Sequence, residues 1–189
     1  WVKVFTKFED LPERLRKPDS GVKIENGKLI IAARSSQSIK FPTEFSNVGL
    51  RLKQAPNSPE TQVRLSKSDT TDIRLLARPS GDEVSCMIWK PGAGNGLGNL
   101  EAPRGLERTL ELVVVGRRVV ARVNDQIFGA ELPTGEMTGP FNPEIFFNNS
   151  SVRDIEVINL DGIPEAEALR ILGIDEKGNA TRAAALATE

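Results

Sequence analysis

Apolar and polar residues alternate at period two along most of this chain. Val48, Leu50 and Leu52 fall on one side of an extended segment, as do Val63 and Leu65, Ile73 and Leu75, and Val84, Cys86 and Ile88. Successive side chains of a strand point to opposite faces, so each segment predicts a half-buried β-strand. Between them lie Ala55-Pro56-Asn57-Ser58-Pro59, Ser66-Lys67-Ser68-Asp69 and Pro79-Ser80-Gly81-Asp82, clusters that end strands because proline lacks an N–H and glycine relaxes the backbone. Nearer the N-terminus, Val22-Lys23-Ile24-Glu25 and Lys28-Leu29-Ile30-Ile31-Ala32 flank Asn26-Gly27. Asn-Gly tolerates the positive φ angles of a type I′ turn, so this stretch predicts a hairpin.

The pattern continues after a glycine-rich stretch, Pro91–Asn99, which reads as a flexible loop. Leu110–Val115 turns at Gly116-Arg117 into Val119–Val123, and Asn124-Asp125 turns again into Gln126-Ile127-Phe128. Ile145-Phe146-Phe147 and Val152–Leu160 supply the last strands. Many short strands at intervals of roughly 8–12 residues, uninterrupted by a long helix, predict an all-β, two-sheet antiparallel sandwich over residues 1–162. The period changes only in the tail, residues 163–189. There Asp161 as cap and Pro164 at the first position predict a short helix, Glu165–Leu172, ended by Gly173, with Leu169 and Leu172 packing on the sandwich. Asp175–Asn179 reads as a turn and Ala180–Glu189 as a frayed helix or linker.

Composition narrows the chemistry. Of 189 residues, 39% are hydrophobic and 27% charged, which is ordinary for a globular domain. The net charge of -1 removes the overall attraction to polyanions expected of a nucleic-acid binder. Cys86 is the only cysteine and there is no histidine, so an intrachain disulfide, the common zinc sites and a Ser- or Cys-His triad are excluded. No cofactor is expected, and an oxygen-ligated calcium ion is the metal that the residue types leave open. No apolar run approaches the ~20 residues that span a bilayer, and no signal-peptide pattern opens the chain. Trp1 in place of an initiator methionine is read as the start of an excised or processed piece with flanking domains.

Several segments, in order, carry a family resemblance. They are Val4-Phe5 with Asp10-Leu11, the Val22–Ile31 hairpin, Leu110–Phe128 with Val123-Asn124-Asp125, and Ser151–Val157 followed by Leu160-Asp161-Gly162. Together they resemble the concanavalin A-like superfamily of jelly rolls, and within it the 3-keto-disaccharide hydrolase and laminin-G-like branches. The resemblance implies a jelly-roll sandwich. Its members include sugar hydrolases, glycan or protein binders, and accessory modules of large bacterial proteins, some of which also carry kinase domains. It favours an extracytoplasmic or cell-envelope setting.

Catalytic signatures are sparse. The Glu-x-Asp-x-x-Glu run of jelly-roll endoglucanases is missing, and glycoside hydrolysis needs two carboxyls across the scissile bond. Glu107 and Glu111 share a strand face but read as solvated strand carboxylates. The hydrolase branch's Asn-Ser-Gly-Ile step is replaced by Glu60-Thr61-Gln62-Val63-Arg64, which keeps an arginine and loses the turn. The glycine-rich stretch lacks the closing Gly-Lys-Ser/Thr and the following helix of a phosphate loop. Asn148 and Asn179 match glycosylation acceptors but read as turn residues, and Cys86 reads as core.

The polar side of the alternating strands is more informative. If the apolar positions face inward, Arg51, Lys53, Arg64, Arg74, Met87 and Trp89 face outward, and pairing of neighbouring strands is expected to gather them into one basic, tryptophan-bearing face. Arginine grips carboxylate, sulfate or phosphate with two N–H groups, and indole stacks on sugar rings. The plainer alternative is a solvated sheet face whose long side chains cover apolar atoms. The expected function is a non-catalytic module of a larger bacterial protein, binding a glycan or acidic polymer through Arg51, Arg64, Arg74, Met87 and Trp89. The alternatives are a 3-keto-glycoside hydrolase relative, using Arg64 with Asp72 or Glu83, and a structural module that self-associates through its tail or a sheet edge.

Overall fold

The computed structural model describes residues 1–5, 7–26, 28–31, 36–78, 81–133 and 138–175. Gly27, Ala32, Pro79-Ser80 and the tail from residue 176 onward lie outside these. The chain opens with β1 (Val2–Lys3), then three single 3-10 turns, Phe8–Asp10, Glu13–Leu15 and Pro18–Ser20. Next come β2 (Val22–Glu25), β3 (Lys28–Ile31), β4 (Ser36–Lys40), β5 (Val48–Gln54), β6 (Thr61–Ser68), β7 (Thr71–Ala77) and β8 (Glu83–Lys90). The remainder is β9 (Ala93–Glu101), β10 (Arg108–Val115), β11 (Arg118–Val123), β12 (Gln126–Glu131), β13 (Asn142–Asn148), β14 (Ser151–Asn159) and α1 (Glu165–Ile171).

Among the described residues the strands form two antiparallel sheets. One has the order β12-β11-β10-β5-β14-β3-β2, with β1 also on β14; the other runs β4-β13-β6-β7-β8-β9. The two-sheet all-β architecture with a short helix near the C-terminus is the one that alternation predicts. Between the sheets, Leu50, Leu52, Leu65, Leu75, Leu112, Ile145 and Phe147 are fully buried with their neighbours. Turn chemistry follows the sequence: Asn26 has φ 51° at the β2–β3 hairpin, where Glu25 pairs with Lys28, and Gly116 (φ 58°) and Asn124 (φ 52°) turn β10 into β11 and β11 into β12.

A second, smaller core lies on the outside of the larger sheet. Val113, Val115 and Val120 point away from the sandwich interior and are covered by Ala168, Leu169, Leu172 and Ile174. Trp1 lies on the same side, against Gly49, where an added Cβ would come within 2.8 Å of the indole. The helix ends with Leu172 as C-cap and Gly173 at φ 67°, as its sequence position implies. Its start departs from expectation. Pro164 occupies the N-cap position without a side-chain cap, while Asp161 Oδ1 accepts the Asn47 N–H at 2.6 Å and so ties the end of β14 to the entry of β5.

Pro91–Asn99 is also not a loop. Residues 93–101 form β9, paired along β8 with Trp89 opposite Gly94 and Met87 opposite Gly96. Gly94, Gly96 and Gly98 leave no side chains to alternate, so the strand is invisible to a hydrophobic pattern.

Candidate functional site

Alternation assigns the inward residues of β5, β6, β7 and β8 correctly but does not say to which sheet a strand belongs. After β5, the Ala55–Glu60 connection carries the chain from the eight-stranded sheet to the six-stranded one. Arg51 and Lys53 therefore face outward on one side of the sandwich, and Arg64, Arg74, Met87 and Trp89 on the other. The single face expected from the sequence is two faces.

On the six-stranded sheet, register places Lys40, Glu144, Arg64, Arg74, Met87 and Gly96 in one row across all six strands. A second row, one pleat along, holds Ser66, Asp72, Trp89 and Gly94. Lys40, Glu144, Arg64 and Arg74 of the first row and Ser66, Asp72 and Trp89 of the second line an open groove of about 450 Å³, which Met87 and the two glycines do not line. Arg64 and Arg74 sit directly opposite each other, an arrangement of like charges that destabilises unless compensated. Glu144 compensates the first: Arg64 Nη1 lies 3.3 Å from its Oε1, Ser66 Oγ donates to Oε2 at 2.8 Å, and the Ser38 hydroxyl also donates to Oε1. Asp72 compensates the second, accepting Arg74 Nε at 2.6 Å on Oδ1 and Nη2 on Oδ2.

Each arginine also lies over an aromatic ring. The Arg64 guanidinium carbon stands 4.7 Å from the Phe146 centroid, and that of Arg74 stands 4.6 Å from the Trp89 centroid. Arg64 Nε donates to Gln62 Oε1 at 2.8 Å. Burial lowers the proton affinity of Arg64 below the usual guanidinium range, with Arg74 adding to the effect and Glu144, Asp72 and Glu60 opposing it. Trp89 keeps 42% of its surface exposed, a large value for an indole held in place by a neighbouring guanidinium. Fixed ion pairs thus stand beside an open aromatic surface.

The expected basic face is thus charge-paired at its centre. The sequence reading missed Glu144, Ser38, Lys40 and Arg14, which line the same groove. Extending the alternation to Glu144-Ile145-Phe146 puts Glu144 on the outer side, but its pairing with β6 rests on a contact between residues far apart in sequence. Of the carboxylates considered for proton transfer, Asp72 is held by Arg74, and Glu83 lies at the other end of β8 opposite Glu101.

The opposite face is built differently. Arg122, Glu111, Arg51 and Glu156 form a row of alternating charge across β11, β10, β5 and β14, and Lys3 of β1 extends it. Arg51 pairs with Glu156, lies 3.8 Å from Glu111 and stands 4.3 Å over Trp1. Glu111 is buried rather than solvated, and burial raises its pKa against the pull of Arg122 and Arg51. Glu107, by contrast, is exposed and pairs with Arg153. Cys86 is core, its thiol pushed up to about 12 by burial.

Neither the protein-family models nor the curated protein sequences match this chain. Solved structures do. A carbohydrate binding module, CBM66 from Bacillus subtilis, aligns with TM-score 0.58 at 9% identity, over 74% of this chain and 91% of that one. A glycosidic hydrolase aligns with TM-score 0.58 at 11% identity, over 77% and 84%. A toad ovary galectin in complex with thio-digalactose aligns with TM-score 0.51 at 11% identity, over 67% and 100%. The chain has a two-sheet, lectin-like jelly-roll fold similar to that of these structures. Among its described residues no helix is long and apolar enough to cross a membrane.

Proposed function

We propose that this chain is a non-catalytic carbohydrate-binding module that takes glycan in the groove of its six-stranded sheet. The observation that carries the reading is Trp89, exposed at the groove floor, with Arg74 stacked over its ring and locked to Asp72. An indole held in this way offers a flat apolar surface to the C–H face of a sugar ring, while Arg64, Ser66 and Lys40 supply polar partners to its hydroxyls. Jelly-roll neighbours that include a carbohydrate binding module and a galectin in complex with thio-digalactose support this reading.

Binding is favoured over cleavage because Asp72 and Glu144 are both committed to arginine partners, and Glu83 stands away from the groove. Calorimetry against the strongest hit from a broad glycan panel tests the reading. Wild type binds, and Trp89→Ala loses at least about tenfold in affinity, the equivalent of ~1.4 kcal/mol of stacking. A panel with no binder, or unchanged affinity in Trp89→Ala, removes it.

A further inference from the structure

The polar atoms of the groove divide unequally between those already used and those still available. Its two inner carboxylates are sunk and occupied: the Glu144 side chain is 14% exposed and accepts from Arg64, Ser66 and Ser38, and the Asp72 side chain is 9% exposed and is gripped at both oxygens by Arg74. Two cations stand free of that network at the β4 side. Arg14, on the 3-10 turn Glu13–Leu15, uses Nη2 to reach the Ser38 carbonyl at 2.6 Å and keeps the rest of its guanidinium fork. Lys40, 38% exposed, has three N–H donors and one partner, Asp69, at 3.5 Å. Asp69 is 96% exposed, and a surface pair of that kind contributes little and yields readily to a better anion.

A neutral sugar presents hydroxyls that both donate and accept, so it binds best where acceptors are open. An anion only accepts. A groove with its acceptors filled and its outer donors available is matched to the second. We infer that the glycan bound here is acidic, its carboxylate or sulfate held by Lys40 and Arg14 at the β4 side while a ring stacks on Trp89. This rests on the glycan reading above. Lys40 and Trp89 are four strand positions apart, about 19 Å at ~4.8 Å per strand, so the ligand is an oligosaccharide rather than a single sugar.

Three matched pairs of oligosaccharides test this: oligogalacturonate and its methyl ester, oligomannuronate and its methyl ester, and chondroitin sulfate and its desulfated form, which keeps its uronates. In at least one pair the more highly charged member binds about tenfold more tightly at ~0.15 M salt. Lys40→Ala and Arg14→Ala abolish that preference by weakening the more charged member far more than the less charged one, Trp89→Ala weakens both, and Asp69→Asn strengthens the more charged member. Inorganic polyphosphate, which has charge but no ring, binds more weakly and is indifferent to Trp89→Ala. Equal affinity within every pair, absence of binding by all six probes, or a charge preference that survives Lys40→Ala with Arg14→Ala, overturns the inference. A neutral glycan that binds through Trp89 would still uphold the proposed function, whereas no glycan binding of any kind would end both.

Discussion

Glu111 Oε1 lies 3.4 Å from Arg122 Nη1, and the same guanidinium donates through Nη2 to the Leu172 carbonyl at 2.9 Å. The first contact is close enough for Coulomb attraction but is not aligned as a hydrogen bond, and Oε1 has no hydrogen-bond partner. The second satisfies a carbonyl at the end of α1, where a cation is favoured by the helix dipole. One arginine therefore links a buried carboxylate in the sheet to the helix docked over it.

This arrangement makes stability depend on pH in a definite direction. Burial raises the Glu111 pKa above its ordinary value of 4.5, with Arg122 and Arg51 opposing and Glu156 reinforcing the shift. The native state then holds the proton more firmly than the unfolded chain between those two values. The contribution of Glu111 to stability is complete below the unfolded pKa and is lost as pH rises through the native one. Urea unfolding from about pH 4 to 8 should show Glu111→Gln gaining on wild type across that window and then holding level. A difference independent of pH would show that Glu111 does not titrate in this way.

The two residues that meet over the groove should separate in stability. Arg74→Ala strands Asp72, 6% exposed, without its partner, and is expected to cost about 2–4 kcal/mol. Trp89 stands 42% exposed and its truncation should cost less than about 1 kcal/mol. Urea midpoints check the contrast. Adding Asp72→Asn to Arg74→Ala should recover part of the loss, since no buried carboxylate then remains.

How much of this was legible in the sequence depends on the range of the contacts involved. Val48/Leu50/Leu52 and Val63/Leu65 reveal their inner faces locally, because side-chain direction is fixed by the strand itself. That Arg51 and Arg64 lie on opposite sides is decided by where the Ala55–Glu60 connection takes the chain, and both strands read alike. Glu144 joins Arg64 through a pairing of strands 80 residues apart. The consecutive apolar run Leu112–Val115 was a visible sign that β10 is buried on both faces, which is where α1 packs. In β9 the glycines erased the alternation altogether.

The helix is a cover for its own sheet. Leu169 is 4% exposed over Val113, Val115 and Val120, and Leu169→Ala is expected to cost about 2–4 kcal/mol. Truncation after Gly162 would uncover that apolar face and should raise the mass measured by light scattering as protein concentration increases. A self-association module that used the tail as its contact would show the reverse, losing mass on the same truncation.

The last contrast isolates one contact at the joined edges of the two sheets. A Cβ built on Gly98 would lie 2.5 Å from Phe128 Cε2, whereas one on Gly96 meets nothing within 4 Å. Both residues are on β9, so the change in strand propensity is common to the two. Gly98→Ala is expected to cost about 1–3 kcal/mol by overpacking, and Gly96→Ala to be neutral or stabilising by up to about 1 kcal/mol through the unfolded chain. Phe128 is partly buried against the main core, so it cannot swing away without losing that packing. In a Phe128→Leu background the smaller side chain leaves room for the methyl group, and the Gly98→Ala penalty should shrink. A penalty that stays the same there would mean that β9 itself, rather than the ring across the sheet edge, demands the glycine.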